Sequence, residues 1–288
     1  MKKSQKTVSE LVKFFKKELS GMYPEREIQS IIYIVFEEVL GFSKVDVYAK
    51  SDVIPEAEGM EKLAEVFEQL KNYKPIQYIF GKTEFYNLQF FITPGVLIPR
   101  QETQELADWI IHENNTHLKK FLDIGTGSGC LAITINKNIF RSIVDACDIS
   151  DEALTLAEEN ALNINAKVKF YKADILNWQQ YDFFQEYDII VSNPPYVRES
   201  EKNFMLPNVL NYEPHQALFV SDEDPLIFYR VICDLAQIHL KPRGKMYFEV
   251  NEALFMDCKI LFLEKGFKNV DIRKDINGKF RMMSASRG

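Results

Sequence analysis

The chain has 288 residues, is 46% hydrophobic and carries a formal net charge of −7, which allows one large domain with a smaller companion and disfavours a general affinity for nucleic acid. Its longest strongly apolar run, residues 31–36, falls far short of the roughly 20 residues that cross a bilayer, and no signal-peptide core follows Lys2, Lys3 and Lys6, so a membrane span is excluded and a cytoplasmic location is expected. Cys130, Cys147, Cys233 and Cys258 form no CxxC pair, and His112, His117, His215 and His239 lack metal-ligand spacing, so neither a metal site nor a disulfide scaffold is expected.

Residues 9–74 read as helical. Leu11, Phe14, Phe15 and Leu19 share a face, Gly21 stops the first helix, Pro24 starts a second that ends near Gly41, and a third after Pro55 carries Leu63, Val66, Phe67 and Leu70. Residues 1–74 are therefore expected to form a small all-helical domain. Between Gln77 and Ile92 aromatic and β-branched residues accumulate, with Gly81 and Asn87 as turn signals, so residues 75–96 read as a linking hairpin.

From residue 97 to 288 strands alternate with helices, the pattern of a doubly covered parallel sheet. Strands are expected at 121–124, 143–147, 168–171, 187–191 and 245–250, with helices at 130–136, after Ser150, and at 225–240. Residues 268–272 and 280–284 flank Asn277-Gly278, a pair that favours a tight antiparallel hairpin at the end of the sheet.

Gly125-Thr126-Gly127-Ser128-Gly129 follows the first of these strands at its handover to a helix, where glycines let the backbone approach a ligand. The spacing is neither the GxGxxG of a dinucleotide site nor a phosphate loop, and an amino-acid-bearing nucleoside is favoured. Asp148 after the second strand is placed to accept from two ribose hydroxyls, and Asp174 after the third to lie beside the adenine; a helix cap is the ordinary alternative for each. Asn193-Pro194-Pro195-Tyr196 ends the fourth strand, at the same sheet edge. The Asn193 side-chain oxygen and the Pro194 carbonyl can each accept one hydrogen of a flat NH2 group, with Tyr196 stacked on it. The prolines keep the loop stiff, although Asn-Pro and Pro-Pro also punctuate ordinary turns. The nitrogen of an amide or adenine amino group is a weak nucleophile, so alignment with an activated methyl must replace basicity, and the lack of a Ser/His/Asp or Cys/His arrangement argues against a hydrolase.

These segments resemble class I methyltransferases of the PrmC/HemK group, which methylate the glutamine side-chain nitrogen in the Gly-Gly-Gln motif of peptide-chain release factors. The likeness rests on Gly125 to Gly129, Asp148-Ile-Ser-Asp-Glu-Ala-Leu154 and Ser192-Asn-Pro-Pro-Tyr-Val197. It extends to Pro75-Ile-Gln-Tyr-Ile-Phe-Gly81, Leu97-Ile-Pro-Arg100 with Glu102-Thr103, Tyr212-Glu-Pro-His-Gln-Ala-Leu218 and Lys274 to Arg281. It implies a Rossmann-like catalytic domain with a mostly parallel sheet, and a helical N-terminal domain that docks the protein substrate. S-adenosylmethionine would be held by Gly125, Thr126, Gly127, Ser128, Gly129, Asp148, Asp174, Ile175 and Asn193, leaving S-adenosylhomocysteine. Asn193, Pro194, Pro195 and Tyr196 would hold the glutamine amide, and Arg100 would order the pocket. The chain departs from the family pattern at Gln101, Gln104, Ile175 and Asn251.

An adenine-N6 methyltransferase offers the same planar NH2 to the same four residues. It calls for a basic, target-reading module, whereas residues 10–27 mix Lys13, Lys16 and Lys17 with Glu10, Glu18, Glu25 and Glu27; no direct nucleic-acid binding is expected. A non-catalytic adaptor on the same fold would show damage in the glycine loop or the Asn-Pro-Pro-Tyr segment, and both are intact.

Overall fold

A seven-stranded central sheet places its strands in the order Lys268–Lys274, Phe280–Ser286, Leu240–Glu249, Tyr187–Ser192, Lys120–Ile124, Ile143–Asp148 and Val168–Lys172. The structure is a computed structural model; it describes residues 6–115 and 118–288, and Lys2, Lys3 and His117 lie outside them. The chain divides into two compact units between Phe80 and Gly81.

The first unit holds α1 (Val8–Leu19), α2 (Glu25–Leu40), α3 (Lys44–Ala49), α4 (Ala57–Lys71) and the short α5 (Ile76–Phe80). Thr7 caps α1 and Ser43 caps α3, and each donates its own backbone amide to the carboxylate three residues on, Glu10 and Asp46. Gly41, at φ +68°, closes α2. Val8, Leu11, Phe15 and Leu19 recur at helical spacing and are buried. Phe15 meets Phe36 and Phe67 edge-on at 6.0 and 5.1 Å between centroids, and burial of each such ring contributes roughly 1.5–3 kcal/mol. Residues 77–80, read from sequence as the start of a hairpin, are helical instead. Tyr78 is buried, and Ile79 and Phe80 pack on this helical core, where apolar contact outweighs the strand preference of their side chains.

The second unit opens with a hairpin of β1 (Lys82–Phe85) and β2 (Leu88–Phe91). Its turn is Tyr86-Asn87, both at positive φ as a two-residue mirror-image turn requires; Gly81 precedes the hairpin rather than turning it. Next come α6 (Gln101–Asn114), β3 (Lys120–Ile124), α7 (Cys130–Asn138), β4 (Ile143–Asp148), α8 (Asp151–Ile164), β5 (Val168–Lys172), β6 (Tyr187–Ser192), β7 (Val197–Arg198), α9 (Pro207–Leu210), β8 (Phe219–Val220), α10 (Ile227–His239), β9 (Leu240–Glu249), α11 (Phe255–Glu264), β10 (Lys268–Lys274) and β11 (Phe280–Ser286). Strands β3, β4, β5, β6 and β9 are mutually parallel, and β11 and β10 add antiparallel pairs, the mostly parallel sheet with a terminal antiparallel hairpin that the sequence implied.

The hairpin β10–β11 is not closed by a two-residue Asn-Gly turn. Lys274 pairs with Phe280, and the loop between them is organised by buried Asp275, whose Oδ1 accepts from the backbone amides of Asn277 and Lys279, both at 2.9 Å. Beneath the sheet edge, buried Asn160 on α8 donates to the carbonyls of Phe91 and Ser128 and accepts from the Phe91 amide at 2.7 Å, tying the β1–β2 hairpin to the glycine loop. The four cysteines are free and buried. No described helix is long and apolar enough to cross a membrane, and among the described residues no cluster of His, Cys, Asp and Glu is disposed to hold a metal.

Candidate active site

Sheet register explains why the chemistry converges. Ile124 at the end of β3 pairs with Cys147 of β4 on one side and with Ser192 of β6 on the other, so the next residues, Gly125, Asp148 and Asn193, emerge together where strand order reverses. That switch point is where open α/β sheets bind ligands. Ser192 Oγ donates to the Ile124 carbonyl at 2.7 Å and locks the two ends in step. Asp148 pairs with Lys172, which brings Asp174 and Ile175 to the same edge.

Here lies a cavity of about 270 Å³. Its wall includes Gly125, Thr126, Gly127, Ser128, Asp148, Asp174, Ile175, Asn193, Pro194, Pro195 and Arg100 from the sequence-derived set; Gly129 and Tyr196 are not part of it. Gly125 and Gly129 sit at φ +73° and +79°, the left-handed region, and a Cβ on Gly129 would stand 3.1 Å from that of Ala157. Glycine at these points allows β3, α7 and α8 to approach closely enough to shape the loop.

Asp148 fixes that loop. Its Oδ2 accepts from the Gly127 amide at 2.9 Å and its Oδ1 from the Ser150 amide at 3.0 Å. Ser150, not Asp148, caps α8, so the capping alternative falls on the neighbour and each Asp148 oxygen keeps a lone pair. Asp174 is a cap: its Oδ1 accepts from the Leu176 amide and its Oδ2 from Asn177 Nδ2, while it also borders the cavity beside Ile175 and Leu176. Asp123, at the end of β3, is 1% exposed, and burial pushes its carboxyl up to about 7 against the bond donated by Thr126. It went unassigned in the sequence, where a carboxylate inside an apolar strand reads as part of the glycine motif.

The acceptor side is built on a buried carboxylate, Glu249, to which the sequence reading assigned no role. Asn193 Nδ2 donates to Thr103 Oγ1 at 3.0 Å, Thr103 donates to Glu249 Oε2 at 2.6 Å, and Tyr196 donates to Glu249 Oε1 at 2.7 Å. Tyr196 therefore faces Glu249 with its hydroxyl and does not line the cavity in the way a stacking platform would. The signal for Glu249 was its position at the carboxyl end of β9, one residue past the Ser192–Phe248 pair.

Arg100 is committed to Glu213, which is 4% exposed, through a 2.6 Å bond, and Glu213 also accepts from the Ile98 amide. The pair joins two segments that border the cavity, residues 97–100 and 214–217. Two of the departures from the family pattern also find hydrogen-bond partners. Gln104 accepts from the Tyr86 amide. Asn251 donates to the Tyr196 carbonyl at 3.0 Å and to Glu201 at 3.1 Å. Ile175 is buried on the wall, and Gln101 is exposed at the start of α6.

A nucleoside carrying an amino acid and a sulfonium fits this donor set: a glycine loop, a strand-end acceptor in Asp148, apolar Ile149, Ile175 and Leu176, and a carboxyl at Asp123 that a cation would favour in its ionised form. Residues 10–81 match the family model described as PrmC N-terminal domain, and residues 103–221 match Methyltransferase small domain. The chain is 45% identical over 276 residues to the release factor glutamine methyltransferase of Flavobacterium psychrophilum, covering 94% of this chain and 96% of that one. It is 43% identical over 282 residues to the enzyme of the same name from Bacteroides thetaiotaomicron, covering 97% and 100%. A solved methyltransferase from Pyrococcus furiosus shares the fold, with a TM-score of 0.51 at 20% identity over 78% of this chain and 98% of that one. On these likenesses the chain belongs to the release factor glutamine methyltransferase family.

Proposed function

We propose that this chain transfers the methyl group of S-adenosylmethionine to the side-chain amide nitrogen of the glutamine in the Gly-Gly-Gln motif of a peptide-chain release factor. The observation that carries the reading is the orientation of Asn193: its NH2 end is held by Thr103, leaving Oδ1 as an acceptor beside the Pro194 carbonyl at the cavity wall. Two acceptors suit the two hydrogens of a primary amide. When bound, S-adenosylmethionine supplies a methyl already activated by its sulfonium.

Gly125 to Gly129 and Asp148 hold the cofactor, Asp174 and Ile175 border its base, and Arg100 keeps the mouth of the site in shape through Glu213. Asn193 and Pro194 align the glutamine nitrogen so that its lone pair faces the methyl. Transfer would form the N–C bond as the methyl–sulfur bond breaks, its electron pair staying on the sulfur of S-adenosylhomocysteine while one proton of the nitrogen passes to solvent. Pro195 stiffens the grip, and Tyr196 supports it through Glu249. The helical unit docks the release factor, and the reaction takes place in the cytoplasm where translation terminates.

The test is transfer of labelled methyl from S-adenosylmethionine to a release factor and, in parallel, to an adenine-containing duplex, with wild-type protein and Asn193→Ala. Label in the release factor that disappears with Asn193→Ala is expected. Label in the duplex alone would overturn the glutamine assignment.

A further inference from the structure

Behind Asn193, three side chains from three separate segments form one hydrogen-bond chain that starts at the cavity wall with Thr103 and runs inward to Glu249 and Tyr196. Thr103 lies in the first turn of α6, Tyr196 follows the proline pair, and Glu249 is the last residue of β9. Thr103 is 4% and Glu249 1% exposed, so the links are shielded from bulk water.

The polarity of this chain follows from proton counting. An ionised carboxylate only accepts, and a hydroxyl has a single proton to give. Thr103 gives its proton to Glu249 Oε2 at 2.6 Å, so its oxygen meets Asn193 as an acceptor. Asn193 must then turn its NH2 inward, the 3.0 Å contact observed, and present Oδ1 outward. Tyr196 donates to the other oxygen of Glu249 at 2.7 Å, so both oxygens are met by donors. A donor in place of Glu249 would release the Thr103 proton toward Asn193. The amide would then be free to reverse and would show its NH2 to the cavity, where it repels another NH2 group.

We infer that Glu249, acting through Thr103, is the positioning residue that selects which end of the Asn193 amide faces the cavity, and so sets the site to take an NH2-bearing substrate. The inference rests on the acceptor role proposed for Asn193. Burial holds the Glu249 carboxyl above the usual carboxylate range, with the bonds from Thr103 and Tyr196 and the positive charge of Arg281 working against that rise and Glu102 adding to it.

Two substitutions separate polarity from packing. Glu249→Gln keeps the shape but adds a donor, and Thr103→Val keeps the volume but removes the hydroxyl; Thr103→Ser restores it. Each variant is assayed for kcat with a release factor as methyl acceptor, for S-adenosylmethionine affinity by calorimetry, and for melting temperature. Glu249→Gln and Thr103→Val are expected to lower kcat about 10- to 100-fold while cofactor affinity stays within about twofold, and Thr103→Ser is expected to recover most of the loss. Wild-type kcat in both Glu249→Gln and Thr103→Val, with Asn193→Ala inactive, overturns the positioning role and leaves the Asn193 role standing. Wild-type kcat in Asn193→Ala removes the underlying acceptor role itself.

Discussion

Asp148 accepts the backbone amide of Gly127 at 2.9 Å, so the carboxylate that ends β4 also sets the shape of the glycine loop that follows β3. One side chain thereby links two neighbouring strand ends, and its spare lone pairs face the cavity. Asp148→Ala is expected to weaken S-adenosylmethionine binding by at least about 1.5–3 kcal/mol, the range for a hydrogen bond to a charged group. Calorimetric titration of the purified variant measures this, and an unchanged Kd would remove Asp148 from the cofactor site.

Arg100 and Glu213, on segments that border the cavity, form an ion pair with side-chain exposures of 32% and 1%. Arg100→Met leaves the Glu213 carboxylate without its charge partner, at a cost of roughly 3 kcal/mol. Arg100→Met combined with Glu213→Leu removes the stranded charge and is expected to be more stable than Arg100→Met alone. Urea unfolding of the three proteins decides this; a double variant weaker than the single one contradicts it.

Asp123 titrates in the folded protein at about 7 against 3.8 for the free side chain. Its folded pKa is raised, so its contribution to stability is complete below 3.8 and is lost as pH rises through about 7. Between about pH 5.5 and 8.5 this amounts to about 2 kcal/mol. Asp123→Asn, which has no charge to bury, is expected to show a smaller fall in melting temperature over that interval than wild type. Identical pH dependence in the two proteins would falsify the assignment.

Asn251 fastens the Tyr196 carbonyl and the Glu201 carboxylate with its amide. Asn251→Gly removes both bonds at the start of the segment that follows the proline pair. Amide hydrogen exchange in residues 197–204 is expected to accelerate, with little change in β6. Unaltered exchange across that segment would show that the tether does not restrain it.

Much of the fold was legible because periodicity and punctuation agreed. The glycine loop, the strand-end aspartates and Asn193 all stand at the carboxyl edge of the sheet, as the order of strands and acidic residues implied. The local failures have local causes. Asn277-Gly278 suggested a two-residue turn, but Asp275 captures the loop amides first; the true two-residue turn is Tyr86-Asn87, where asparagine tolerates positive φ. The helix α3 was missed although Ser43 and Asp46 spell its capping box. Thr103, Glu249 and Glu213 act through partners more than 80 residues away in sequence, and such pairings leave no periodic trace.

The central claim is tested most directly by mapping the methyl group. The protein is incubated with S-adenosylmethionine and an intact release factor, and the modified peptide is fragmented by mass spectrometry. One added methyl on the glutamine of the Gly-Gly-Gln motif, absent when that glutamine is replaced by alanine, is the predicted result. A methyl on any other residue, or none on that glutamine, would contradict the account.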